Sequence, residues 1–61
     1  MKKYLVVCVV NMDHSTAYVN FLYSSENMFT VAEVVRFVSW AQKEHPEYLS
    51  VSILNIIPLE R

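Results

Sequence analysis

The sequence predicts an α+β domain of β-β-α-β order: a three-stranded antiparallel sheet in spatial order 2-1-3, with one helix packed on one face. Three observations lead there. The run Leu5-Val6-Val7-Cys8-Val9-Val10 is apolar throughout. A strand with one wet face alternates, whereas one covered on both faces does not. Thr30 and Glu33, followed by closely spaced valines, mark a helix start. Two further segments rich in β-branched and aromatic residues, 16–23 and 50–57, read as strands. A chain of 61 residues makes one domain, 1–61.

The first strand spans residues 3–12 and is broken by the polar Asp13-His14-Ser15. In the second, Thr16 to Tyr23, Ala17, Val19, Phe21 and Tyr23 point one way and Tyr18, Asn20 and Leu22 the other. The short break predicts a hairpin loop of about 3–5 residues. The chain has no glycine, so any left-handed backbone conformation falls to Asn11, Asp13 or His14. Ser24-Ser25-Glu26-Asn27 is a loop. Thr30 and Glu33 then form a capping box, with Phe29 and Val34 as its hydrophobic staple. The helix runs to about Glu44, because Pro46 disfavours helical geometry in the residue before it. In the last strand, Ser50 to Ile57, Val51, Ile53 and Ile57 share one face and Leu54 and Ile56 the other, with Asn55 interrupting the first set. Pairing this strand with the first puts the most apolar strand in the centre; a crossover parallel to the second strand is the alternative.

Stepping about 100° per helical residue places Val31, Val34, Val35, Val38 and Ala41 on a sheet-facing stripe. Glu33, Arg36, Lys43 and Glu44 fall opposite, with Trp40 among them and Phe37 at their edge. Tryptophan beside phenylalanine and arginine has the make-up of an interface anchor, so Trp40, Phe37 and Arg36 are the candidate partner-binding residues. The alternative is that Trp40 folds over the helix edge onto the core. One helix covers only one sheet face. The other face carries Leu5, Val7 and Val9 or, in the opposite register, Tyr4, Val6, Cys8 and Val10. Left bare, such a patch exceeds the few hundred Å² that monomers carry. A second copy covers it, by sheet-on-sheet packing or by pairing of edge strands. Leu5, Val7 and Val9 are the candidate dimer seam. Chains this small usually need disulfides, a metal or oligomerisation for stability, and a lone Cys8 excludes an internal disulfide. A homodimer or higher oligomer is therefore expected.

Hydrophobic residues make up 54% of the chain, charged residues 18%, and the net charge is −1. That excludes a disordered chain and gives no general attraction to nucleic acid or acidic membranes. Asp13-His14-Ser15 has the residue types of a hydrolase triad, but neighbours in sequence do not line up as nucleophile, base and orienter; a polar loop is the better reading. Cys8 lies inside a strand, where a buried thiol is inert. Cys8, Asp13, His14 and His45 lack metal-ligand spacing, and His45 beside Pro46 suits a helix C-terminus. Glu26, Glu33, Glu44 and Glu47 have no cleft to work in. Neither an enzyme nor a cofactor or metal is expected. A nucleic-acid-binding dimer is the competing class: Tyr4, Tyr18, Phe21 and Tyr23 would stack bases, and Lys2, Lys3, Arg36, Lys43 and Arg61 would touch phosphates. Met1-Lys2-Lys3 before an apolar stretch mimics a secretory signal. The stretch is short, however, polar Asn11, Asp13 and His14 follow it, and no small-residue cleavage site appears. Val7 before Cys8 does not fit a lipoprotein site. No run approaches the ~18–20 residues of a membrane span, so a cytoplasmic protein with no membrane contact is expected.

The β-β-α-β order, the acidic hairpin turn at Asp13 and the helix capped by Thr30 together resemble the very small dimeric inhibitors that phages make against host enzymes, above all the inhibitors of uracil-DNA glycosylase. The likeness spans nearly the whole chain as topology. Val34 stands where that family carries a target-plugging helix phenylalanine, so no site residue carries over. The resemblance implies a non-catalytic protein that acts by binding another protein.

Overall fold

The computed structural model describes residues 1–59; Arg61, named above as a phosphate contact, lies outside the described residues. Four elements follow in order: β1 (Lys2–Asn11), β2 (Thr16–Ser25), α1 (Val31–Glu44) and β3 (Ser50–Pro58). They form one three-stranded sheet in the order β2-β1-β3, with both pairs antiparallel. The α+β, β-β-α-β arrangement is thus the one the sequence predicts, and the parallel crossover is set aside.

At the hairpin, Asn11 lies opposite Thr16, and the Met12 amide donates to the Ser15 carbonyl at 2.8 Å. Thr16 Oγ1 donates to Asn11 Oδ1 at 3.0 Å, and Asn11 Nδ2 donates to Ser50 Oγ at 2.9 Å. Asn11 therefore ties both outer strands to the central one at this end. Among the described residues none has positive φ, which corrects the expectation for Asn11, Asp13 and His14. Four residues, 12–15, separate the paired Asn11 and Thr16, and loops of that length close around a type I turn, which needs no positive φ.

Along β1, Tyr4, Val6, Cys8 and Val10 are buried, while Leu5, Val7 and Val9 remain partly exposed. The buried set joins Met28, Phe37 and Ala41 in the core. Val19, Phe21 and Tyr23 from β2, Val38 and Trp40 from α1, and Val51, Ile53 and Ile56 from β3 pack around it. The β1–β3 register slips between Val7, opposite Asn55, and Cys8, opposite Ile53, leaving Leu54 unpaired. This bulge corrects the face assignment in β3. An extra residue reverses the alternation beyond it, so Ile56 turns to the core and Ile57 lies opposite Leu5 on the far face.

Thr30 caps α1 from extended geometry (φ −96°, ψ 151°), its hydroxyl accepting from the Glu33 amide at 3.3 Å. The Glu33 carboxylate accepts from buried Ser25 Oγ at 2.7 Å and pairs with the Arg36 guanidinium at 3.3 Å. Ser25 also accepts from the Asn27 amide at 3.3 Å, so one hydroxyl locks the loop before the helix. The Phe29 ring packs edge-on against Tyr4 at 5.9 Å. At the other end the His45 amide donates to the Ala41 carbonyl at 2.9 Å. Gln42 Nε2 then donates to the carbonyls of Tyr48 and Leu49 at 3.4 and 3.2 Å, holding the turn into β3.

The helix phase differs from the predicted valine stripe. Phe37 and Ala41 are buried and Val34, Val38 and Trp40 partly so, whereas Val31 is 81% and Val35 60% exposed. At 100° per residue this is a rotation of roughly a fifth of a turn. Size decides it: burying one phenylalanine removes more apolar surface from water than burying one valine. Phe37 also meets the rings of Phe21 and Tyr23 at 5.6 and 5.0 Å.

Candidate functional site

Two surfaces stand out. The first is the sheet face turned away from α1. The pairings set its residues in cross-strand rows: Leu22–Leu5–Ile57, Asn20–Val7–Asn55 and Tyr18–Val9–Ser52. An apolar column therefore runs down β1, widened by Leu22 and Ile57 at one end and Tyr18 at the other. Tyr18 is 78% and Leu22 69% exposed. With the part-exposed column, these side chains present a patch on the order of 500 Å², at the upper end of what monomers carry. Among the described residues no element covers it. Leu5, Val7 and Val9, the candidate seam, all lie on this face. Strand alternation allowed either set of β1 residues here, and the structure turns Tyr4, Val6, Cys8 and Val10 to the helix.

The second surface is the helix. Trp40 lies over β2, its ring 5.6 Å from Phe21, 5.1 Å from Tyr23 and 5.7 Å from Phe37. It is half-buried, folding over the helix edge onto the core, and keeps only a rim free. Phe37 lies beneath it with no exposed surface, which corrects its place among the candidate contact residues: a side chain under Trp40 cannot reach a partner. Arg36 is exposed and tethered by its pair with Glu33. Exposed Val31 and Val35 lie five residues and one residue before it. The valine pattern concealed these two; weighting each helix phase by side-chain size would have revealed them.

The aromatic residues do not form a stacking row. Tyr4 is buried, Phe21 and Tyr23 belong to the layer under the helix, and only Tyr18 stands on the open face. Lys2 and Lys3 begin β1, while Arg36 and Lys43 sit on α1.

Cys8 is fully buried, with Sγ 3.9 Å from the Val6 carbonyl oxygen. Burial pushes its thiol up to about 11, because a thiolate there would lose its hydration; little nucleophile exists near neutral pH. Asp13 and His14 lie 3.5 Å apart at the exposed hairpin tip. His45 stacks on Tyr48 with ring centres 4.7 Å apart and lies 3.4 Å from the Glu47 carboxylate. Among the described residues no three of the histidines, cysteine and acids gather as metal ligands, and no pocket forms. Among the described residues no helix is long and apolar enough to cross a membrane.

Comparison with known protein families, curated proteins and solved structures finds no match for this chain.

Proposed function

We propose that this chain is a non-catalytic protein-binding module that works as a homodimer or higher oligomer, an inhibitor or modulator of the phage type acting in the cytoplasm on a host protein. One observation carries the reading: the sheet face bearing Leu5, Val7 and Val9 holds an exposed apolar column, bordered by Asn20, Asn55 and Ser52, and α1 lies on the other side. Burial of that face by a second copy joins the two cores, with the face as a seam. The helices then point outward, and each presents Arg36, the rim of Trp40, Val31 and Val35 to a different protein. Phe37 supports the Trp40 ring from below.

Affinity capture with purified protein as bait, read by quantitative mass spectrometry, tests the partner half. A protein retained by the wild type and lost on Arg36→Glu supports it, because that substitution reverses an exposed charge; circular dichroism of the variant checks that the helix survives loss of the Glu33 pair. Capture indifferent to Arg36→Glu removes the helix surface from the account. A gel shift that weakens with added salt, as phosphate contacts require, would favour the nucleic-acid class instead.

A further inference from the structure

The two edges of the sheet are unlike. β3 carries the bulge at Leu54 and ends in Pro58, and both features discourage another strand from pairing. β2 has neither. Its 10 residues include no charge and no proline, and they pair with β1 without irregularity. The α1 backbone runs closest to β3; Trp40, His45 and Tyr48 reach β2 through their rings, against Phe21 and Tyr23, and among the described residues no strand pairs with the outer edge of β2.

We propose that this edge pairs antiparallel with β2 of a second copy, with Asn20 facing its own counterpart across a two-fold axis. The inference rests on the self-association reading above and adds a contact distinct from the sheet-face seam. The strand is self-complementary in this register. On the open side Tyr18 faces Leu22 of the second copy. On the helix side Val19 faces Phe21, a favourable pairing of a β-branched with an aromatic residue, and the small Ala17 leaves room for Tyr23. Thr16 faces Ser24. No like charges meet, because the strand has none. Each Asn20 amide carries both donors and an acceptor and can bond its twin. Centring the pair on Phe21 instead would set Asn20 against Leu22, a polar amide against an apolar side chain.

The Asn20 axis stands perpendicular to the sheet. Both helices therefore stay on one side, and the two open faces merge into one six-stranded surface. A single face offers on the order of 500 Å², short of the ~800 Å² per partner of a standard interface. The merged face offers about twice that to an opposing pair. Edge pairing and face packing, each with its own two-fold axis, close a tetramer.

Thiol cross-linking and sedimentation of the purified protein test this. With oxidised glutathione added as the oxidant, Asn20→Cys should give at least about ten-fold more disulfide-linked dimer than the wild type, whose Cys8 is buried, since facing Cβ atoms lie ~4.5–5.5 Å apart. The link should persist in the Asn20→Cys/Val7→Asp double variant, where the face contact is broken. The wild type should sediment at four times the 7.1 kDa chain mass, and Val7→Asp at twice that mass. A wild-type dimer that falls to monomer on Val7→Asp, with no Asn20→Cys link, overturns edge pairing and leaves the face seam standing. A wild-type monomer overturns both. If Asn20→Cys links only to a different protein in cell extract, the edge accepts a foreign strand and self-pairing is wrong.

Discussion

Replacing Phe37 tests the helix phase, on which the division between core and outer surface depends. Its ring is fully buried against Phe21, Tyr23 and Trp40, at 5.6, 5.0 and 5.7 Å. Truncating such a residue to alanine costs about 3–5 kcal/mol. A domain this small holds only ~3–5 kcal/mol from its core, so Phe37→Ala should leave the chain largely unfolded. Phe37→Leu keeps most of the volume but loses the ring contacts, for an expected cost of about 1–2 kcal/mol. Val35→Ala, on a side chain that is 60% exposed, should change stability by less than about 0.5 kcal/mol. Urea unfolding followed by Trp40 fluorescence reads these differences. Protein concentration is held fixed, because self-association adds stability by mass action. With a slope near ~1 kcal/mol/M for a chain of this size, Phe37→Leu should lower the midpoint by about 1–2 M. Equal losses from Phe37→Leu and Val35→Ala would refute the phase and restore the valine stripe.

Three other outcomes follow from the same contacts. Ser25→Ala removes a buried donor to the Glu33 carboxylate and should cost about 1–3 kcal/mol by denaturant titration. Thr30→Ala should cost about 1 kcal/mol through the lost cap, while Thr30→Ser should stay close to wild type. The Cys8 thiol is raised from 9.0 to about 11 in the folded chain. The unfolded chain therefore loses this proton first, and stability is intact below pH 9 and falls between pH 9 and 11, by at most about 2–3 kcal/mol. Cys8→Ala should abolish that fall, and the native thiol should resist a thiol reagent at pH 8 until denaturant is added.

The element order and sheet topology were legible because each signal was local and strong. The run Leu5–Val10 marked a central strand, Thr30 a cap and Pro46 a stop. The helix phase was not legible by counting apolar positions. Four valines outnumbered one phenylalanine, yet the large inner rings of Phe21 and Tyr23 favour Phe37, and that contact is long-range. The β3 bulge was also hidden, since Leu54, Asn55 and Ile56 read equally well in an unbroken strand. Only the demands of Val6 and Cys8 on the neighbouring strand fix the slip. Of the candidate residues, Leu5, Val7 and Val9 were legible as a set once one helix was seen to leave one face bare. Which β1 set faced outward depended on the helix side, which alternation alone does not encode. Trp40, Phe37 and Arg36 were grouped by a helical wheel turned a fifth of a turn too far, so they separate into a rim, a buried support and an exposed cation paired with Glu33.

Sedimentation equilibrium of the wild-type protein at micromolar concentrations tests the central claim most directly. If a second copy covers the face of Leu5, Val7 and Val9, the mass exceeds the 7.1 kDa of a single chain, and Val7→Asp shifts the population to a smaller species. A wild-type protein that remains a 7.1 kDa monomer across that range would contradict it.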